Sequence, residues 1–391
     1  MTIDIAKIRA ETPGVKTVNH LLASGSALMP QCVADAIIDH ITLESNIGGY
    51  EAHAEMVAPL ERVYDLVATL IGAKSQEIAL LENATAAWCQ AFYALPLRAG
   101  DRVLTCQAEY AANYLAFLQR AKRDGITIEV IPNDAYGAVD VTALEAMIDD
   151  RVALIAITWV PTNGGLVNPA AAVGRVARAH NIPYLLDACQ AVGQMPVDVR
   201  ELGCDFLTAT GRKFLRGPRG IGFLYVRDAL IETLEPAMID LYAASWKAPD
   251  QYALRADARR FENWENAYAL RAGLGAAVEY ALSIGIGEIQ KSACALAGDL
   301  RQKLRAFGAE VHDLGAEQCA IVSFTIAGMI PRETVAKLRV QGINIGASSP
   351  ASTPLDGLAR NLPDLMRAAP HYYNTTGEID QLIAALDGLR G

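Results

Sequence analysis

The sequence predicts an α/β fold in which a large domain carries a mainly parallel central sheet and a smaller α+β domain follows it. Two observations predict this. Between about residues 55 and 260, helical stretches alternate with seven short apolar runs: EIALL, DRVLTC, TIEVIP, VALIAITWV, IPYLLDA, CDFLTAT and IGFLYV. After Phe261 the texture changes to long Ala-rich helical stretches and then mixed segments.

Each apolar run is too short for a stable helix and rich in Val, Ile and Leu, the composition of a strand buried on both faces. Strands that alternate with helices build a parallel sheet with helices on its two faces. Residues 168–181, NPAAAVGRVARAHN, place small and apolar residues at helical spacing between two of the runs and are expected to be a crossover helix. In such sheets ligand chemistry sits beyond the carboxyl ends of the strands. Beyond residue 260, helices are expected at 267–281, around 290–307, from Pro331 and from Glu378, with the strand-like run IVSFTIAG between them. This reads as a smaller domain with an antiparallel sheet. The chain therefore divides into an N-terminal segment, 1–20, that could pack on either domain, a large domain, 21–260, and a small domain, 261–391.

Composition limits the function classes. The chain has 391 residues, 52% of them hydrophobic, enough for a substantial core. With 34 basic and 44 acidic residues it carries a net charge of -10, which argues against a nucleic-acid or anionic-membrane surface. Its seven cysteines are scattered, without a CxxC pair or a His/Cys cluster of metal-ligand spacing, so reduced thiols and no metal site are expected. The first residues, MTIDIAKIRAETPGVK, lack the apolar core of a signal peptide, and no later run is long enough to span a bilayer. A cytoplasmic location is the expectation.

Four places along the chain could carry chemistry. Asp187 ends the apolar run IPYLLDA, where burial makes a carboxylate costly unless a cation such as a protonated ring nitrogen pairs with it; capping a turn is the plainer role. Lys213 follows Gly211 and Arg212 and precedes the turn Gly217-Pro218-Arg219-Gly220. A lysine amine attacks an aldehyde only when its proton affinity is lowered, and partial burial beside a cation does this. Taken alone, an Arg-Lys pair is usually just an exposed loop. Asn83, Ala84, Thr85 and Ala86 lie between a strand and a helix, where free backbone N–H groups attract anions. Tyr110 follows the run DRVLTC, where a flat ring could stack on it.

Taken in chain order, NAT at 83–85, LLDACQAVGQ, ATGRK and HYYNT at 371–375 resemble the class V aminotransferase family of fold-type I pyridoxal-phosphate enzymes. That family includes cysteine desulfurases, selenocysteine lyases, isopenicillin N epimerase and a C–S lyase of ergothioneine metabolism. The resemblance runs from about Asn19 to Leu389. It implies pyridoxal 5'-phosphate held on Lys213 as a Schiff base, with Asp187 against the pyridine nitrogen. It also implies Gln190 and Thr162 near the phenolate oxygen and Tyr110 stacked on the ring. Ala84, Thr85, Thr210 and Arg212 would hold the phosphate, and Arg367 the substrate carboxylate. A homodimer is the family expectation.

Three departures bear on the reaction. Cysteine desulfurases carry a nucleophilic cysteine on a loop before the carboxylate arginine, but residues 342–366 contain none. That loop has Gly346 where some relatives have a further arginine. Arg212 replaces a frequent histidine, and residues 263–266, Asn-Trp-Glu-Asn, lack the hydroxyl that relatives use to reach the partner's phosphate. The expected activity is removal of the α proton and elimination of a β substituent, sulfur above all, from an amino acid without an enzyme persulfide. An aminotransferase, an epimerase and a non-catalytic cofactor-binding scaffold are the alternatives.

Overall fold

The computed structural model describes residues 3–390. Its central sheet has seven strands: β1 (Ile78–Leu81), β2 (Arg102–Cys106), β3 (Thr127–Ile131), β4 (Val152–Thr158), β5 (Tyr184–Asp187), β6 (Phe206–Thr210) and β7 (Gly222–Val226), in the order β1-β7-β6-β5-β4-β2-β3. All seven apolar runs are strands, and alternation within them feeds two cores. Ile155 and Ile157 point into the larger apolar cluster, whereas their neighbours Leu154 and Ala156 point into the one around Trp88, Phe92 and Phe117. A two-residue side-chain period on a sheet covered on both faces requires this split.

Two expectations about these strands need correcting. IGFLYV is antiparallel to both of its neighbours, β1 and β6. Only the loop between Thr210 and Gly222 separates it from β6, and a parallel return needs a helical crossover that this loop is too short to hold. TIEVIP is an edge strand with a mostly half-exposed face rather than a buried one. The crossover between β4 and β5 is the expected helix, Ala170–Ala179.

The small sheet is antiparallel throughout. Its strands β8 (Glu310–Val311), β9 (Val322–Thr325), β10 (Gly346–Ser348) and β11 (Leu365–Ala368) run in the order β8-β9-β11-β10. The helices Ile286–Phe307 and Thr376–Gly388 pack together beside it. The Ala-rich helix Tyr268–Ile284 does not join them. It packs on the large-domain helices Gln31–Ile47 and Gly49–Ile71, and the chain turns by 82° at Gly285 before Ile286–Phe307 begins. Small residues let Tyr268–Ile284 approach those two large-domain helices closely: a Cβ on Gly273 would meet Ile37 at 2.6 Å and one on Gly275 would meet Val63 at 2.9 Å. The N-terminal segment touches both parts of the chain: Asn19 and His20 pair in parallel with Ile343 and Asn344 and Arg9 bonds Glu378, while Thr12 accepts from Arg216 and the Glu11 carbonyl accepts from the Gln31 N–H.

The loop bearing Lys213 is held from two directions. Gly193, in the turn after Asp187, has φ +91°, and a Cβ there would lie 2.3 Å from the Leu215 amide nitrogen. The two site loops thus touch backbone to backbone. Gly193→Ala would add both a steric clash and a left-handed alanine, and is expected to destabilise the fold by about 3 kcal/mol. Chemical denaturation measures this, and an unchanged unfolding midpoint would contradict the packing. From the other side, the HYYN segment of the small domain grips the loop. The His371 Nε2–H donates to the Phe214 carbonyl at 2.7 Å. The buried Arg216 donates to the Tyr372 hydroxyl at 2.9 Å and lies over the rings of Tyr372 and Tyr373.

Burial holds His371 down to about 3, with Arg216 adding to the effect. A histidine neutral in the fold protonates near 6.5 once unfolded, so the unfolded chain binds more protons below that pH. The stability His371 contributes is present above 6.5 and is lost as pH falls from there toward 3. Relative to His371→Gln, which can still donate to Phe214, wild type should lose about 2 kcal/mol between pH 7 and 5. Parallel denaturation series at the two pH values test this; a constant gap would refute it.

Candidate active site

β2, β4, β5 and β6 end at one edge of the sheet, and the first turn of helix Ala84–Ala94 meets them there. Their tips form a pocket whose walls include Ala84, Thr85, Tyr110, Thr162, Asp187, Gln190, Thr210, Arg212 and Lys213. Every one of those residues was singled out in the sequence. Arg367 lies just beyond, on β11, and joins the pocket by donating to the Thr162 carbonyl at 2.8 Å and to its hydroxyl. Asn83, Asn113, Thr158, Val160 and Cys189 complete the wall.

Asp187, 5% exposed, is oriented by two neutral donors. The Cys189 N–H reaches Oδ1 at 2.9 Å, and the Asn113 side-chain amide reaches Oδ2 at 2.9 Å. Burial lowers the proton affinity of Lys213; Cys189 and Asp187 pull the other way, and Arg212 and Arg367 assist burial. Its amine is therefore a better nucleophile and base than an exposed lysine.

At the pocket's other end, Asn83 caps helix Ala84–Ala94 by accepting from the Ala86 N–H at 2.9 Å. Gly222 keeps this turn close to the sheet, since a Cβ there would lie 3.0 Å from the Ala84 nitrogen. Arg212 donates to the Gly25 carbonyl, and burial lowers its proton affinity, with Arg219 adding to the effect. A helix start, the Thr85 and Thr210 hydroxyls and a guanidinium together suit a phosphate group.

Arg367 is pushed down to about 10, by burial first and then by Arg212. It stays charged at neutral pH, and its Nε is buried without a partner. The buried arginines Arg271 and Arg301 have Glu262 and Asp313 against them, whereas Arg367, like Arg216 and Arg260, has no carboxylate among the described residues and, unlike those two, leaves its Nε unmet. Gln190 also carries a buried, unpartnered Oε1. These unmet groups, with the phosphate-type cradle and a desolvated lysine facing a carboxylate, fit an anionic aromatic aldehyde bearing a ring nitrogen.

The sequence model of the family described as aminotransferase class-V matches residues 19–382. The chain belongs to this family. Class V aminotransferases are pyridoxal-phosphate enzymes that act on amino acids, and this chain is one of them. It is 30% identical over 392 residues to a probable cysteine desulfurase of Methanothermobacter thermautotrophicus, covering 98% of each. It is 31% identical over 406 residues to a cysteine desulfurase of Yersinia pestis, covering 99% of this chain and 98% of that one. A solved apo cysteine desulfurase of Thermococcus onnurineus superposes with TM-score 0.92 at 25% identity, covering 100% of this chain and 98% of the other.

Sequence reasoning missed Asn113, Glu109 and Thr158. Glu109 is 2% exposed beneath the pocket. The available signal was the spacing of Glu109 and Asn113, four residues apart where a helix begins, which puts both side chains on one face.

Proposed function

We propose that this class V enzyme eliminates a β substituent, sulfur by preference, from a cysteine-like amino acid and leaves no persulfide on the protein. The observation that carries the reading is the state of the thiols near the pocket. The segment 342–366 has no cysteine, and Asn163 fastens it by donating to the Thr353 hydroxyl at 3.0 Å and to the Ser349 carbonyl at 3.1 Å. Cys189 is the only cysteine among the pocket-lining residues, and burial keeps its thiol well above the ordinary range. Cys106, behind the pocket, is raised in the same way. A thiol that stays protonated at neutral pH is a poor acceptor for sulfur.

Pyridoxal phosphate, when bound, supplies the electron sink that makes the α proton acidic. The protein's residues do the rest. Arg367 grips the substrate carboxylate and fixes which face of the α carbon is presented. The freed Lys213 Nζ takes the α proton and can pass it to the leaving sulfur. Asp187 keeps the proton on the ring nitrogen, and Thr85, Thr210, Arg212 and the helix start hold the phosphate. For a thioether or disulfide substrate, the Cβ–S bond breaks; the products after water addition are a thiol or persulfide, pyruvate and ammonia.

Holoenzyme supplied with cysteine, cystine, cysteine conjugates and their sulfoxides, with products identified by mass, tests the reading. Stoichiometric pyruvate and ammonia are expected, undiminished in Cys189→Ala and Cys106→Ala. A keto acid with pyridoxamine phosphate, an inverted α centre, or a cysteine variant that abolishes turnover would each overturn it.

A further inference from the structure

We propose that Glu109 is a positioning residue for the cofactor site: through the shared amide of Asn113 it fixes the Asp187 carboxylate and strengthens its hold on a cationic ring nitrogen. The inference rests on reading Asp187 as the partner of that nitrogen. Asn113 Nδ2 donates to Glu109 Oε1 at 2.8 Å and to Asp187 Oδ2 at 2.9 Å, so one amide group spends its N–H donors on two buried carboxyls. Sheet register brings them together. Thr158, which also donates to Glu109 Oε1 at 2.5 Å, stands directly opposite Asp187 where β4 pairs with β5.

The remaining partners of Glu109 are neutral as well. The Tyr110 N–H reaches Oε1 at 2.9 Å, the Thr105 hydroxyl reaches Oε2 at 3.0 Å, and the Cys106 thiol faces Oε2 at 3.6 Å. The titratable groups facing it are thus Cys106 on β2 and Asp187 on β5, neither of them a cation. A fully satisfied set of neutral donors around a buried carboxyl is costly to build for structure alone, because two apolar residues would fill the space without the desolvation. Beside a site that receives a cation, the same arrangement stores negative charge one hydrogen bond behind the residue that meets it. Burial, with a smaller push from Asp187, raises Glu109 to about 7, so its charge appears as the pH passes neutrality.

This gives a signature that packing alone would not produce. Equilibrium binding of pyridoxal phosphate to cofactor-free protein is measured by absorbance at pH 6 and pH 8.5 for wild type, Glu109→Gln, Asn113→Ala and Asp187→Asn. Glu109→Gln should bind like wild type at pH 6, where Glu109 is already protonated. At pH 8.5 it should bind about 10-fold more weakly, the order of effect of one uncompensated charge at this range. Asn113→Ala should weaken binding at both pH values, because Asp187 loses a donor whatever the charge on Glu109. Affinities for Glu109→Gln that match wild type at pH 8.5, or fall equally at both pH values, would overturn the inference, as would unchanged binding by Asn113→Ala. Asp187→Asn separates the two readings: if it binds as tightly as wild type, the assignment of Asp187 itself fails, whereas weak binding there with silent Glu109→Gln rejects the role of Glu109 alone. Should Glu109→Gln not fold, Glu109→Asp, which keeps the charge, is expected to retain the wild-type pH dependence, and its loss would equally reject the inference.

Discussion

Lys213→Ala is expected to lower turnover by at least about 10⁴-fold, because the substitution removes one group that serves as both nucleophile and general base. The yellow absorbance of lysine-bound pyridoxal phosphate should vanish with it. The fold should survive, since the loop is held by Gly193 packing on Leu215 and by His371 on Phe214, neither of which involves the lysine side chain. Small primary amines added to the variant should restore a fraction of the activity, with a rate that rises with amine concentration. That rescue separates a lost base from a collapsed pocket. A variant retaining wild-type turnover, or one that keeps the absorbance, would remove the basis for the functional reading.

The chemistry was legible in the sequence to the extent that it follows from position along strands. Asp187, Thr210 and Lys213 stand at or just past strand ends, and a parallel sheet collects its carboxyl ends at one edge, so strand assignment was sufficient to group them. Thr85 was placed by the same logic at a helix start. What strand assignment does not reveal is which strand lies beside which. Glu109 and Asp187 belong to segments far apart in the chain, and only the β2-β4-β5 order, with Thr158 opposite Asp187, puts them around one amide. IGFLYV shows the same limit from another side: its composition marks a buried strand, but direction is set by the loop before it. The HYYNT motif carries a family resemblance, yet its contacts on Phe214 and Arg216 span more than 150 residues of chain. The helix Tyr268–Ile284 was found, but its choice of partners depends on surface shape in three dimensions and could not be read from its own residues.

Arg367 carries the second large effect. Arg367→Ala should lower kcat/KM for a free amino acid by about 10²- to 10³-fold, on the order of 3–4 kcal/mol, chiefly through KM. The size follows from the environment. This guanidinium is half-buried and charged, bonded among the described residues only to Thr162, and without the carboxylate that Arg271 and Arg301 each possess, so a substrate carboxylate meets a group already partly stripped of water. Arg367→Lys should recover only part of the loss, because an ammonium cannot form the two parallel bonds of a guanidinium fork. The decisive comparison uses a substrate whose carboxylate is replaced by a carboxamide. If Arg367 acts through that carboxylate, wild type should lose on the amide about what Arg367→Ala loses on the acid, and the combination should lose little more. Their effects would then be strongly non-additive, as expected for two halves of one contact. If the variant instead weakens acid and amide equally, Arg367 serves only to hold Thr162 and its segment in place, and the carboxylate must be bound elsewhere. Arg212 would then be the first residue to test, since it is the remaining guanidinium on the pocket wall.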